Sequence, residues 1–186
     1  DYDGPSGINN NNSSTVSAGW TAFPGETVIA STWNTNMAYM FGLAVGNEGA
    51  ESGVSGWYAP AVNIHRSAFG GRNYEYYSED PVLSGIMGAE TTTGALTNGM
   101  YCYVKHLAVN ETETDRGGLY TWLTEQALRE IYLKPFEIVV KDGHANAMMS
   151  SFNNIGAIWA GGCKAMLTDI LRDEWGFRGS IVTDYA

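Results

Sequence analysis

Acids, cations and hydroxyl groups gather at a few places in this sequence. The densest is Gly70–Pro81, where Arg72, Glu75, Glu79 and Asp80 alternate with Tyr74, Tyr76 and Tyr77. A core strand would not hold so many charges, because unpaired buried charge is costly. A solvated loop would not hold so many rings, because exposed aromatic area gains nothing in water. The mixture predicts a half-buried polar pocket with rings as walls and charges as hydrogen-bonding points. Sugars suit such a site, with flat apolar faces to stack and hydroxyls that fork onto arginine and carboxylate. Asp184 follows the apolar pair Ile181–Val182, and Lys105-His106 follows the apolar run Tyr101–Val104. A carboxylate in that position is either a site acid or a helix cap. Lys105 is either a functional cation or a surface lysine whose stem lies on apolar neighbours.

Short β-rich runs must position these groups. We place them at Thr27–Ser31, Trp57–Val62, Tyr101–Lys105, Ala145–Ser150 and Ser180–Asp184. Helical stripes separate them. Met37, Met40, Phe41, Ala44 and Val45 form the first, and Ile86, Ala89, Thr93 and Leu96 the second, opened by Asp80 as cap and Pro81 in the first turn. Leu123, Ala127, Leu128 and Ile131 form the third, with Glu125 and Arg129 paired four apart. Pro135 should break or kink it, and Gly143 should end the helix that follows. Met166, Leu167, Ile170 and Leu171 form the fourth. This alternation predicts an α/β fold of parallel strands with crossover helices. Polar residues recur just after the strands: Asn63, His65 and Arg66 after Val62, and Ser150, Ser151 and Asn153 after Ala147–Met149. That is the active face of a (β/α) barrel and equally of an open α/β sheet.

Composition narrows the function. A net charge of −10 argues against a nucleic-acid groove and an anionic membrane surface as partners. No run approaches the length of a membrane helix. Cys102 and Cys163 show no metal-ligand spacing and read as small buried hydrophobes. Asn9–Ser14 reads as a polar turn or loop, and Asn11, Asn12 and Asn110 stand in Asn-x-Ser/Thr triplets.

Five segments, in order, resemble glycoside hydrolase family three, the β-glucosidase and β-xylosidase family. Asp3-Gly4-Pro5-Ser6-Gly7 resembles its DGPxG turn, and Asn63-Ile64-His65-Arg66-Ser67 its NIHRSP segment. Gly71–Pro81 resembles GRNxExxSEDP. Lys105-His106 with Asn110, Glu113 and Arg116 resembles KHFxxNxxExxR, and Gly176-Phe177-Arg178-Gly179 running to Thr183-Asp184-Tyr185 resembles WGFxG…SDW. The resemblance implies a (β/α)8 TIM-type barrel. Such a barrel typically takes ~250 residues. We count about five strands in 186 residues, so we expect a partial catalytic barrel, cut at both ends from a longer polypeptide.

The resemblance further implies a retaining, exo-acting β-glycosidase that needs no metal or organic cofactor. Its substrate would be a β-linked oligosaccharide or aryl glycoside. Asp184 would be the nucleophile, with Lys105, His106 and Arg72 keeping it ionised. Asp3, Arg72, Lys105, His106 and Phe152 would line the sugar, the two residues of Lys105-His106 as donors to its hydroxyls. Arg66, Asn110, Glu113 and Arg116 would support them. Phe152 stands where the family's SYN segment has tyrosine, and Tyr185 replaces the usual tryptophan. The segment Lys105–Glu113 lacks the histidine loop of the N-acetylglucosaminidase branch, which favours the glucosidase/xylosidase branch. The acid/base would come from a domain outside this chain, so the isolated piece should be inactive. Two rivals are a non-catalytic carbohydrate-binding barrel module and a Schiff-base lyase using Lys105.

Overall fold

The computed structural model describes residues 1–9 and 19–185. Most of the Asn-rich run, with the triplets at Asn11 and Asn12, lies outside the described residues. In chain order the elements are β1 (Tyr2–Asp3), α1 (Glu26–Ala30), α2 (Thr35–Ser52), β2 (Gly56–Tyr58), α3 (Pro81–Leu96), β3 (Tyr101–Leu107), β4 (Tyr120–Thr121), α4 (Glu125–Ala127), α5 (Lys134–Lys141), β5 (Ala147–Ser150), β6 (Asn154–Ile155), β7 (Ile158–Trp159), α6 (Ala165–Glu174) and β8 (Ser180–Thr183). α4 runs on into a wide turn at Leu128–Tyr132, and α6 is wound in the same wide π form.

Five strands form one all-parallel sheet in the order β1-β2-β3-β5-β8. Spatial order follows chain order and never reverses. That is the singly wound progression of a (β/α) barrel, whereas a doubly wound sheet changes direction at a switch point. The short strands β4, β6 and β7 make a separate ribbon beside the strand ends.

Local chemistry accounts for the helix starts. The Asp80 carboxylate accepts from the backbone of Val82 and Leu83, both at 2.8 Å, with Pro81 in the first turn of α3. Asn34 caps α2 by accepting from Asn36. Pro135 does break the third stripe, because it sits in the first turn of the new helix α5. Glu125 and Arg129 pair at 2.8 Å.

Two strand assignments change. Thr27–Ser31 lies in and just after α1, despite its β-branched residues. Its Thr27 hydroxyl donates to the carbonyls of Asn73 and Tyr76, and the buried Glu26 carboxyl accepts from Ala61 N–H. These tertiary bonds outweigh a weak local preference. The fifth strand is instead β1, too short to show any alternation, paired through Tyr2 with Trp57 and Asp3 with Tyr58. The correct number of strands therefore came from one wrong element and one missed element.

The core is two-sided. Cys102, Val104, Met148 and Ile181 face the helices, while Tyr103, Ala147, Met149 and Val182 pack with Tyr58 and Tyr101 on the other face. On the helix side Phe41, Val45, Ala89, Met166, Ile170 and Leu171 are buried as their stripes implied, but the first two stripes are only partly so. Ile86, Met37 and Met40 are exposed, and α3 buries Gly85, Met87, Gly88, Ala89, Thr91, Gly94 and Ala95. Small residues let α2 and α3 meet backbone to backbone. A Cβ on Gly42 would lie 2.0 Å from the Thr91 carbonyl oxygen, and one on Gly94 would lie 2.2 Å from the Tyr39 carbonyl oxygen. Gly42→Ala must push the helices apart and should cost about 1–3 kcal/mol. Urea denaturation checks this; an unchanged midpoint contradicts the close crossing.

Candidate active site

The C-terminal end of β3 is irregular. Between Val104 and Leu107 the register against β5 shifts: Val104 faces Met148, but Leu107 faces Ser150. A regular strand would send Lys105 and His106 to opposite faces. The shift re-aims side chains, as bulges do near functional sites. Both are buried and reach polar partners on neighbouring elements. Lys105 Nζ lies 2.8 Å from Asp3 Oδ1 and 3.6 Å from Glu75 Oε2. Glu75 in turn pairs with Arg72, whose Nη1 is 3.7 Å from Glu113. Glu113 also binds Arg116 at 2.6 Å and Asn110 Nδ2 at 3.1 Å. One chain of alternating charge thus joins Asp3, Lys105, Glu75, Arg72, Glu113 and Arg116 across the strand ends.

Asp184 follows β8 at the same end. Its Oδ1 accepts from the Tyr185 backbone at 2.9 Å. Its Oδ2 is buried, has no hydrogen-bond partner among the described residues, and lies 3.7 Å from His106 Nε2. Asn110 Oδ1, Ser150 Oγ and Asn153 Oδ1 are also buried without partners among the described residues; Asn110 follows β3, and Ser150 and Asn153 end and follow β5. Unsatisfied polar atoms are rare in protein interiors, and here they share one end of one sheet.

The electrostatics differ from the sequence expectation. Lys105, His106 and Arg72 were expected to keep Asp184 ionised. Burial instead raises its carboxyl above the ordinary aspartate value, against the opposing pull of the Tyr185 N–H, Arg72, Arg116 and Lys105. His106 is driven well below its ordinary value, first by burial and then by Lys105, Arg72 and Arg116. It is therefore neutral and does not act as a cation on Asp184.

Residues 9–186 match the family description "Glycosyl hydrolase family 3 N terminal domain". The chain belongs to glycosyl hydrolase family 3. It is 43% identical over 183 residues to Beta-glucosidase A of Butyrivibrio fibrisolvens and 40% identical over 185 residues to Beta-glucosidase B of Emericella nidulans. In each case 98% of this chain matches 22% of the relative, so the chain spans about a fifth of their length. The solved structure of beta-glucosidase 3B from Thermotoga neapolitana in complex with glucose superposes with a TM-score of 0.95 and 42% identity, covering 99% of this chain and 26% of that one. The fold is of the TIM-barrel α/β type.

The family motifs land on this cluster unevenly. Asp3, Arg72, Lys105, His106 and Asp184 come together, with Asn110, Glu113 and Arg116 behind them. Phe152 is half-buried, and the Arg116 guanidinium stacks over its ring at 4.1 Å. Arg66 turns elsewhere and donates to the Tyr132 hydroxyl at 3.0 Å. The three tyrosines do not all wall a pocket. Tyr74 is exposed, Tyr77 is core and bonds Thr91, and only Tyr76 meets His106, edge-on. Asn110 is buried within the cluster, so its glycosylation triplet is inaccessible in the folded chain.

Sequence reasoning missed Asn63 and Glu111 as site components. Asn63 bonds the His106 backbone and Glu111, and Glu111 Oε1 also accepts from Ile64 N–H. Asn63 stood among the polar residues after a strand and in the NIHRSP-like segment but was given no role, and no residue type or spacing marked Glu111. Burial pushes the Glu111 carboxyl up to about 7, against its bonds from Ile64 and Asn63. A carboxyl raised on folding contributes stability that is full below its unfolded value and lost as pH rises through about 7. Glu111→Gln should therefore match wild type at pH ~4–5 and exceed it by at most about 3 kcal/mol at pH ~8. Denaturation at both pH values checks the sign; equal differences would contradict an ionising buried Glu111.

Proposed function

We propose that this chain is part of the catalytic barrel of a retaining, exo-acting β-glycosidase, of the β-glucosidase or β-xylosidase kind. The observation that carries the reading is the Asp184 carboxylate. It is buried at a strand end, leaves one oxygen without a partner among the described residues, and faces a group of three cations. A purely structural carboxylate would have closed its bonds within the fold. The relatives named beta-glucosidases support the same substrate class.

In this reading the sugar sits at the open strand ends. Arg72 and Lys105 donate to its hydroxyls and are held in place by Glu75, while Asp3 accepts from them. Phe152, locked under Arg116, forms wall. Asp184 attacks the anomeric carbon as the glycosidic bond breaks and the general acid protonates the departing oxygen, leaving a glycosyl-enzyme. Water, deprotonated by the same group, then displaces Asp184 and frees the sugar with net retention. The general acid/base stands ~5–5.5 Å from Asp184. It comes from a part of the parent polypeptide outside this chain, so the barrel piece alone leaves cellobiose uncleaved. The bonds to sugar hydroxyls strengthen in the oxocarbenium-like transition state and so affect kcat as well as KM.

Neither rival explains the geometry as well. A Schiff-base lyase needs a free amine, but Lys105 is buried between two carboxylates, and an ion-paired ammonium has no lone pair for a carbonyl. A carbohydrate-binding module accounts for the donors but leaves the open Asp184 oxygen without a task.

In the parent enzyme, Asp184→Ala should abolish turnover of an aryl glucoside, and added azide should partly restore it as glycosyl azide. Turnover by Asp184→Ala at the wild-type rate would contradict the assignment. Arg72→Met and Lys105→Met should each lower kcat/KM on the order of 10²-fold. Unchanged values for both would remove them from the sugar site.

A further inference from the structure

One side chain, Asn63, grips the His106 backbone on both sides. Asn63 Oδ1 accepts from the His106 backbone N–H at 2.8 Å, and Asn63 Nδ2 donates to the His106 carbonyl at 3.0 Å. The second Nδ2 hydrogen goes to Glu111 Oε1 at 3.3 Å. These partners fix which way the Asn63 amide lies. Turning it over would set its oxygen against a carbonyl and a carboxyl and its NH2 against an N–H.

The imidazole protonation follows from this. Asn63 Oδ1 also lies 3.2 Å from His106 Nδ1 and can only accept there. The Tyr76 hydroxyl, 3.4 Å from Nδ1, donates its proton to the Asn110 carbonyl at 3.1 Å and so turns a lone pair toward the ring. Nδ1 therefore meets two acceptors and must carry the hydrogen. The ring is neutral, through burial and the neighbouring cations Lys105, Arg72 and Arg116. Its Nε2 is then bare, 3.7 Å from the equally bare Asp184 Oδ2. That distance is too long for a hydrogen bond between them. Two lone pairs face each other where a donor belongs.

We propose that Asn63, anchored by Glu111, is a positioning residue that fixes His106 as its Nδ1–H tautomer, so that Nε2 accepts a substrate hydroxyl beside Asp184. This reverses the donor role that the family resemblance implies for His106, and it rests on the glycosidase reading given above. Glu111 acts through Asn63. With its Oε1 engaged by both Asn63 and Ile64, it prevents the amide from rotating away.

Neutron diffraction on the deuterated parent enzyme tests the tautomer without reference to activity. Deuterium on Nδ1 alone is expected, and deuterium on Nε2 overturns the proposal. Kinetics test the positioning role. Asn63→Asp keeps the shape, with Glu111 holding a proton between the two carboxyls, and sets a charge beside Nδ1, which draws a second proton onto a ring otherwise flanked by Asp184, Tyr76, Lys105, Arg72 and Arg116. Nε2 then becomes a donor. kcat/KM should fall about tenfold and recover as pH rises and that proton leaves. Glu111→Ala should lower kcat/KM similarly, and Glu111→Gln, which still accepts with Oε1, should rescue it. A purely structural role would lower the folded fraction without shifting the pH profile. An Asn63→Asp profile identical to wild type overturns the positioning role. If the parent has no glycosidase activity, the functional reading falls while the neutron result still decides the tautomer.

Discussion

The structure depends on a buried ammonium. Lys105 leaves the middle strand of the five and ends between the carboxylates of Asp3, from the edge strand, and Glu75, from the loop before α3. A charge in that position is tolerated only if it is paired. Removing either acid would strand it, so the ends of β1, the Gly70–Pro81 loop and β3 are held in one arrangement. Arg72, Glu113 and Arg116 extend the same logic outward, each charge satisfied by the next. The pairs rigidify a surface that would otherwise consist of mobile loops. Beyond them, the Asp184 Oδ2 carboxylate oxygen remains without a partner among the described residues.

That arrangement needs a scaffold that does not shift. On the helix side, glycines bring α2 and α3 into backbone contact. On the other face, Tyr58, Tyr101 and Tyr103 pack with Ala147, Met149 and Val182 beneath the charged rim. The register shift in β3 then converts two consecutive residues into two neighbouring site groups. Lys105 joins the ionic chain, and His106 faces Asp184. Their environments differ as much as their chemistry: one is charged and paired, the other neutral and fixed through Asn63.

Much of this was legible in the sequence. The apolar runs ending in Lys105-His106 and Asp184 marked strand ends with chemistry, and Asp80-Pro81 marked a helix start. The family motifs then named most members of the cluster. What was not legible has identifiable causes. Two-residue β1 is too short for a period to appear, and Thr27–Ser31 has strand-forming residues held helical by bonds to distant carbonyls. The stripes of α2 and α3 were only partly legible, because α3 buries small residues and leaves Ile86 exposed, whereas Met166, Ile170 and Leu171 of α6 are buried as the pattern implied. Arg66 matched a motif yet turns to Tyr132. Glu111 carries no signal, and the strand-end position of Asn63 showed no role, since both matter only once burial brings them to His106. The direction of the Asp184 shift was also hidden: counting nearby cations is possible from motifs, but weighing them against desolvation requires the folded surroundings.

The central claim is that the open carboxylate of Asp184 is the group that takes the sugar. Reaction of the parent enzyme with a 2-fluoro glucoside, followed by proteolysis and mass mapping, reads this directly. The account predicts one fluoroglycosyl adduct per active site, on the peptide ending β8 and on Asp184 itself. An adduct on Glu75, Glu79 or any residue other than Asp184 would contradict it.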